Sequence, residues 1–306
     1  MRTPHLSNSQ KIKTRHPANS MLEQISDCIA ALYLRGLPRS INPLRRRWVR
    51  VVSILRNADC GISDYPKVLR NAGFQEEAIL LADQRLIELA RKHKEQGTVL
   101  TALDDRYPVR WLERLREGAP PALWKVGAIS NRSYIGVVGS RNIDVTTRGF
   151  AEEIGKEVVR LGFAVVSGGA LGCDLAAAKG AQLSGGDVLE LLPHGIDHCV
   201  ELGKCGLSVC APHEIFSTAS AMERNTLIYA AAEKTVVVQA RFKEGGTWIG
   251  ALEATRKKLC PLIVRDSDSP ASRALVSLGA TPLVEPEKLG LAIDQPPIQR
   301  GLFGIG

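Results

Sequence analysis

Short apolar runs alternate with longer amphipathic stretches through the second half of the chain. The apolar runs are rich in β-branched residues and read YIGVV, FAVVS, DVLELL, LSVC, TVVVQA and PLIV. The segments between them have apolar residues at helical spacing, at residues 146–161, 174–184, 218–232 and 247–258. Short strands separated by helices of this length predict a mostly parallel sheet covered on both faces. The pattern therefore predicts an α/β fold with a doubly wound, Rossmann-like sheet.

The ends of the chain follow other patterns. Residues 1–20 are polar, contain two prolines and show no periodicity, so we expect a flexible tail there. Residues 21–97 repeat apolar positions at helical spacing, which predicts a small, basic helical domain. We expect the Rossmann-like domain over residues 98–290. Residues 291–306 are interrupted by proline and glycine, and we expect a loose tail.

The positive charge of the chain is concentrated near its N-terminus. The net charge is +8, and residues 1–50 contain ten Lys and Arg against only Glu23 and Asp27. Arginines grouped in this way suit contacts with nucleic-acid phosphates, since each contact releases a condensed counterion. A solvated basic face is the alternative interpretation. The arginines concerned are Arg35, Arg39, Arg45, Arg46, Arg47 and Arg50.

The overall composition is that of an ordinary globular protein, with 44% hydrophobic and 24% charged residues. No apolar run approaches the roughly 18–20 residues that span a bilayer, and the basic N-terminus has no apolar signal segment. We therefore expect a cytoplasmic protein without membrane contact. The seven cysteines are scattered and form no CxxC pair, so we expect free thiols.

Four segments could supply a ligand site, because ligands of open parallel sheets bind beyond the carboxyl ends of the strands. Three are glycine turns between a strand and a helix, GSRNIDVTTRG, SGGALGCD and EGGTW, which can cradle an anion. The fourth, AMERNTLIYAAA, carries a polar pair that could also be a cap or a surface ion pair. Asp174, in the second turn, is interpreted as a helix N-cap. The candidate residues are Gly139, Ser140, Arg141, Ser167, Gly168, Gly172, Arg224, Asn225, Gly245, Gly246 and Thr247.

No sequence pattern indicates catalysis or a metal. The His and Cys residues between His194 and His213 have irregular spacing, unlike the ligands of a zinc site. There is no GxSxG elbow, no P-loop and no GxGxxG dinucleotide fingerprint. We therefore expect a binding protein with no catalytic residues, no metal and no cofactor.

Taken in order, the four segments resemble the DNA-processing protein A family, also called DprA or Smf. The resemblance covers about residues 98–265 and includes the lead-in LTALDDRYPVRWLERLREGAPPALWKVG. It implies an extended Rossmann fold that binds single-stranded DNA without cleaving it. It also implies a homodimer that protects incoming strands in natural transformation and loads a RecA-type recombinase. The candidate residues above would form its phosphate pocket.

The chain also departs from the pattern of that family. Ala178 stands where a His is common, and Gln239 replaces the acidic residue that closes the fifth strand. No winged-helix pattern follows residue 290, so we expect a divergent member that lacks this domain, serving DNA recombination or a related process.

Two other functions are open at the sequence level. The EGGTW turn is similar to the GGxGT turn of LOG-like proteins, which would make this a nucleotide-binding sensor or a nucleotide-processing enzyme. A scaffold whose pocket has decayed is the third possibility, and the intact Gly139-Ser140-Arg141 argues against it. Comparing the binding of single-stranded DNA with that of mononucleotides separates these functions.

Overall fold

The computed structural model describes residues 17–34, 44–199 and 205–296. The predicted flexible tail thus lies outside the described residues except for 17–20, as do the side chains of Arg35, Arg39, Arg45 and Arg46. In chain order, the helices and strands are α1 (Pro17–Leu34), α2 (Leu44–Asn57), α3 (Tyr65–Asn71), α4 (Gln75–Leu81), α5 (Gln84–Glu95), β1 (Val99–Thr101), α6 (Val109–Leu115), β2 (Ala122–Val126), β3 (Tyr134–Gly139), α7 (Val145–Arg160), β4 (Ala164–Ser167), α8 (Cys173–Leu183), β5 (Val188–Leu191), β6 (Cys205–Ser208), α9 (Thr218–Ala231), β7 (Ala232–Gln239), α10 (Gly245–Arg256), β8 (Leu262–Arg265), α11 (Pro270–Ser277), β9 (Thr281–Leu283) and α12 (Leu289–Asp294).

The strands of the described residues form one nine-stranded sheet in the order β1-β2-β6-β5-β4-β3-β7-β8-β9. The pairs from β6 to β9 are parallel, whereas β2 pairs antiparallel with both β1 and β6. The predicted mostly parallel sheet is therefore confirmed. From β3 the chain proceeds through β4 to β6 on one side and then returns to β7 on the other. Ligands bind at such a reversal of strand order, so β3 marks the expected site.

Both faces of the sheet are buried, as a doubly wound fold requires. Successive side chains of a strand point to opposite faces, and β3 follows this rule. Ile135 and Val137 belong to the core beneath α7 and α8, whereas Val138 belongs to the core on the opposite face, with α9. The nearly continuous apolar sequence of these strands results from this double burial.

The helices α1–α5 pack against the antiparallel end of the sheet. Ile25 of α1 and Leu55 of α2 are fully buried in the same cluster as the side chains of β1 and β2. The hydroxyl groups of Ser26 and Thr101 share a hydrogen bond of 2.7 Å between α1 and β1. The helical segment and the sheet therefore have a continuous apolar core.

Two element boundaries differ from the sequence expectation. Helix α1 begins at Pro17, inside the segment expected to be flexible. Helix α12 ends at Asp294, four residues into the expected loose tail, and Ala292 is buried. The cause of the second difference is packing of α12 against β9 and α7, which sequence periodicity over so few residues does not reveal. Residues 297–306 lie outside the described residues.

Arg47 and Arg50 are the members of the basic group whose side chains are described. Their guanidinium carbons lie 4.3 and 5.6 Å from the centre of the Phe74 ring. Arg47 also lies 3.7 Å from the buried carboxylate of Glu77. Arg47 is therefore partly engaged within the protein, and phosphate contacts by the group stay a prediction.

Among the described residues, no two cysteines form a disulfide. Within the described ranges, no helix combines the length and the apolar character needed to cross a bilayer.

Candidate anion-binding site at the carboxyl edge of the sheet

The three glycine turns predicted from sequence follow the adjacent strands β3, β4 and β7, at the reversal of strand order. They connect β3 to α7, β4 to α8 and β7 to α10. Because parallel strands end at the same edge, these turns lie side by side.

The turn after β3 is fastened to the end of β7. The backbone N–H of Ser140 donates to the carbonyl of Gln239 at 2.9 Å, and the Ser140 hydroxyl donates to the same oxygen at 3.3 Å. At the end of this turn, Asp144 caps α7 by accepting the Thr147 N–H at 2.7 Å. That bond, with the Thr147 hydroxyl, lowers the pKa of Asp144. Arg141, between these two anchors, is exposed to solvent.

Asp174 joins the turns after β3 and β4. Its two carboxylate oxygens accept the N–H groups of Gly139 and Gly168, each at 3.1 Å. The interpretation of Asp174 as a helix N-cap is wrong, because Gly172 occupies that position and Asp174 lies inside the first turn of α8. Asp174 instead positions two loops. Burial raises its pKa, and the positive charge of Arg224 opposes this effect.

Arg224 is buried, with 5% of its surface exposed. Its Nη1 donates to the carbonyls of Gly168 and, at 3.2 Å, Leu191, so α9 is tied to the ends of β4 and β5. Burial lowers the pKa of Arg224, the charge of Asp174 opposes this shift, and the nearby Arg141 adds to it. Its guanidinium therefore binds backbone carbonyls inside the protein, whereas Arg141 faces solvent.

Gly172 explains why the second turn needs glycine. Its φ angle is +88°, a region that other residues rarely adopt. A Cβ at this position would lie 2.3 Å from the carbonyl oxygen of Ser140. The Cys173 N–H donates to that same oxygen at 3.2 Å. The turns after β3 and β4 are therefore in direct backbone contact.

The turn after β7 completes the arrangement. The Thr247 hydroxyl donates to the carbonyl of Gly139 at 3.0 Å. The Asn225 side-chain amide donates to the carbonyl of Gly246 at 3.4 Å, which links α9 to α10. Gly245 has a φ of +75° at the point where the chain enters α10. The structure therefore brings the candidate residues of all four segments together.

Ser167 differs from the other candidate residues because it is nearly fully buried, at 1% exposure. Its hydroxyl is close enough to Asp174 to help lower that residue's pKa against the larger effect of burial. No partner meets it at hydrogen-bonding geometry within the residues that the structure describes. Ser167 therefore lies beneath the site rather than on its surface.

Exposed apolar side chains surround the site, a feature that the sequence did not indicate. The Phe216 ring lies before α9, 6.0 Å from the guanidinium carbon of Arg141. Phe242, in the turn after β7, contacts Trp248 edge-on with 5.1 Å between ring centres. Phe216 is 48% exposed and Phe242 is 42% exposed. Large apolar residues that face solvent beside a cluster of anchored loops are typical of a binding surface.

The donors gathered at this edge suit an anion better than a metal. The Arg141 guanidinium and the backbone N–H groups at Gly245 and Gly246 are exposed at this edge, whereas the hydroxyl groups of Ser140 and Thr247 donate to backbone carbonyls. In the described ranges, no three His, Cys, Asp or Glu side chains are grouped as a metal site would require.

Solved structures of known proteins share this architecture. DNA processing protein A from Streptococcus pneumoniae matches with a TM-score of 0.67 and 21% identity, over 87% of this chain and 97% of that one. The same protein from Helicobacter pylori, whose structure concerns its single-stranded DNA binding mode, matches with a TM-score of 0.50 and 22% identity. That match covers 56% of this chain and 86% of the other. At these identities the likeness establishes the fold.

The family is established by sequence. No curated protein matches this chain significantly. The model of the DNA recombination-mediator protein A family matches residues 98–293, which include every strand from β1 to β9 and all the loops of the site. The chain therefore belongs to the DNA recombination-mediator protein A family, known as DprA.

Proposed function

We propose that the protein binds single-stranded DNA in the cytoplasm without cleaving it, and holds its phosphates at the carboxyl edge of the sheet. The observation that carries this proposal is the position of Arg141. Its guanidinium is exposed at the reversal of strand order, on a turn anchored by Ser140 and Gly139. It forms no ion pair with any carboxylate of the described ranges. An anchored, unpaired guanidinium suits bidentate phosphate contacts.

The start of α10 supports a second phosphate contact. The first N–H groups of a helix have no partner within it and attract anions. The starts of α7 and α9 are capped by the side chains of Asp144 and Ser217, whereas the cap residue of α10, Glu244, makes no such bond. The N–H groups of Gly245, Gly246 and Thr247 are thus available beside Arg141.

The remaining candidate residues act indirectly in this proposal. Arg224 and Asp174 hold the turns in position through Gly168 and Gly139. Asn225 fixes the turn before α10 through the Gly246 carbonyl. Ser167 lies beneath them. The surface that touches DNA therefore consists of Arg141 and the start of α10, with Ser140 and the other residues as its support.

The exposed rings of Phe216 and Phe242 provide contacts to bases. Aromatic faces stack with bases of any sequence, typically contributing about 1–3 kcal/mol per base. Phe216 lies beside Arg141, and Phe242 lies in the turn that leads to α10. Only 5% of the residues are aromatic, but two of the exposed rings lie at this site, so we expect base stacking in addition to contacts with the DNA backbone.

A salt-dependent binding assay tests this function. The affinity for a single strand of about 30 nucleotides is measured at several salt concentrations for the wild type and for Arg141→Ala. Loss of a charged hydrogen bond predicts roughly 10- to 100-fold weaker binding. Arg160→Ala is the matched control, since Arg160 is an exposed arginine at the opposite end of α7.

Two results would contradict the proposal. One is an absence of DNA binding by the wild type at low salt, and the other is equal binding by wild type and Arg141→Ala. Turnover of a mononucleotide at this site would favour the LOG-like alternative instead.

We further propose that the bound strand is delivered to a RecA-type recombinase by a homodimer of this chain, as in natural transformation or a related recombination process. The description of the family as a recombination mediator supports this step. Light scattering measures the dimer, and the rate of recombinase filament formation on DNA measures delivery. A monomer that leaves this rate unchanged would contradict the step but not the binding of DNA.

A further inference from the structure

A separate cavity of about 250 Å³ lies beyond the ends of β7 and β8. Residues of β7, β8 and α11, among them Val237, Val264 and Leu275, line its inner part. Its polar rim consists of Thr147, Gln239, Arg265, Ser267 and Ser269. None of the candidate residues predicted from sequence lines it.

Arg265 is held in a fixed orientation at this rim. Its Nη1 donates to the Thr147 hydroxyl at 2.9 Å, and its guanidinium carbon lies 4.7 Å from the centre of the Phe150 ring. A guanidinium has five N–H donors. In the described part of the chain Arg265 forms no ion pair, so its other donors remain for a ligand.

Gln239 connects the cavity with the anion-binding site. Its backbone carbonyl accepts two hydrogen bonds from Ser140, while the residue itself lines the cavity. The side chain is exposed, and its amide forms no hydrogen bond to the residues that the structure describes. A ligand in the cavity would therefore lie directly beside a phosphate held by the turn after β3.

The size of the cavity limits the ligand to a small one. Pockets for drug-sized molecules are typically about 300–1,000 Å³, and this cavity is smaller. One ring system suits this space, and hydrogen-bond acceptors on its edge suit the donors of Arg265 and Gln239. A dinucleotide would be too large.

The charge around the rim favours a neutral ligand. The exposed residues Asp266 and Asp268 flank Ser267. The carboxylate of Asp144 is a third negative charge near Arg265. Hydrogen bonds from Thr147 lower the pKa of Asp144, and the charge of Arg265 lowers it further to a smaller degree. Three carboxylates around one guanidinium disfavour a second phosphate. They do not disfavour an uncharged heterocycle.

We propose that this cavity binds one nucleobase, preferably a purine, with Gln239 and Arg265 contacting its edge. Arginine typically forms two hydrogen bonds with the edge of guanine, and glutamine forms two with the edge of adenine. The base is supplied either by the strand held at the neighbouring site or by a free nucleotide. The first source rests on the function proposed above.

Homopolymers test the inference. Affinities for oligodeoxyadenylate and oligothymidylate of about twelve nucleotides are compared for the wild type and Gln239→Leu, which keeps the backbone carbonyl. One bidentate pair is worth about 1–3 kcal/mol, which corresponds to roughly 5- to 150-fold discrimination. We expect the wild type to prefer the adenine strand by at least the lower value. Gln239→Leu should lose this preference and retain its salt dependence.

Gln182→Leu is the matched control, because Gln182 is an exposed glutamine near the far end of α8. It should keep the preference. A third result is possible, in which the wild type shows no preference between the two strands. If deoxyadenosine monophosphate then binds the wild type but not Gln239→Leu, the base in the cavity comes from a free nucleotide.

Equal affinity of the wild type for both strands, with no monophosphate binding, would overturn the inference and leave the proposed function intact. So would a preference that survives in Gln239→Leu. An absence of all DNA binding would instead overturn the proposed function. Circular dichroism confirms that the variants are folded.

Discussion

Arg224 Nη1 donates a hydrogen bond to the carbonyl of Gly168, a residue 56 positions earlier in the chain. This bond joins α9 to the turn after β4, in the interior beneath the candidate site. Near it lies Asp174, whose carboxylate binds the N–H groups of Gly139 and Gly168. A buried guanidinium and a buried carboxylate thus stabilise the same pair of loops.

We expect Arg224→Met to destabilise the fold strongly. The substitution would leave Asp174 as a buried charge without its cation and two carbonyls without a donor. A buried acceptor that loses its donor typically costs about 1–3 kcal/mol, and two carbonyls lose theirs here. Urea denaturation measures the change in the free energy of unfolding. Arg160→Met, on the exposed surface of α7, should change it by less than about 0.5 kcal/mol. Equal effects of the two substitutions would contradict the buried role of Arg224.

Gly172→Ala should destabilise the protein more than Gly185→Ala. Both glycines have positive φ angles, of +88° and +71°. A Cβ at Gly172 would meet the Ser140 carbonyl at 2.3 Å, whereas one at Gly185 has nothing within 4 Å. Strain at a positive φ costs about 1–3 kcal/mol, and at Gly172 the contact with the neighbouring turn adds to it. Thermal unfolding compares the two variants, and equal losses would contradict the larger cost at Gly172.

Thr247→Val removes the hydroxyl that donates to Gly139 and keeps the shape of the side chain. We expect a loss of about 1 kcal/mol of stability and several-fold weaker binding of single-stranded DNA, because the turns after β3 and β7 lose a bond between them. Thr255→Val is the control on the same helix, since its hydroxyl donates to the carbonyl of Ala251 within α10. DNA affinity that falls equally in both variants would show that the bond to Gly139 does not position the site.

His93 should make the stability of the protein depend on pH. Burial lowers its pKa, and the charge of Lys92 lowers it further. The unfolded chain then binds more protons than the folded one just below the ordinary histidine pKa, so the free energy of unfolding falls as the solution is acidified. The stability that the neutral ring contributes is present above the unfolded pKa and is lost as the pH falls through the folded one.

Replacement of His93 by Asn should flatten this dependence between about pH 7 and pH 5. His213→Asn, on an exposed loop, serves as the control. The His93 ring contacts Trp124 of β2 edge-on, with 5.0 Å between ring centres, so this titration reports on the junction between α5 and the sheet. A pH profile that is unchanged by His93→Asn would contradict the assignment.

Local patterns were sufficient to predict most of the parallel sheet. The segment predicted as helical at residues 146–161 corresponds to α7, Val145–Arg160, because its apolar spacing and glycine boundaries are local features. The strand predicted at LSVC is β6, Cys205–Ser208, which begins and ends two residues earlier. Val209 and Cys210 are buried although they lie beyond β6, so hydrophobicity there follows burial and not strand pairing.

The sequence was sufficient to predict which loops form the candidate site, but not which of their side chains face the ligand and which support the loops. Glycine turns after strands are visible in sequence, and parallel pairing brings them to one edge. The difference between Arg141 and Arg224 is not visible, because the sequence shows only that both are arginines in candidate segments. Only the packing of α9 under β4 and β5 buries one and leaves the other exposed. The orientation of Asp174 likewise depends on contacts between distant segments.

Gly139 has both of its backbone polar groups bonded to side chains of different helices. Its N–H binds Asp174 of α8, and its carbonyl binds Thr247 of α10. The last residue of β3 is thereby held from both sides before any ligand arrives. An anion that enters this edge meets donors whose positions are already set, so the entropy lost on association falls mainly on the ligand. When the ligand is a flexible polymer strand, most of the conformational entropy lost on binding is therefore that of the strand, because the donors of the protein are already ordered.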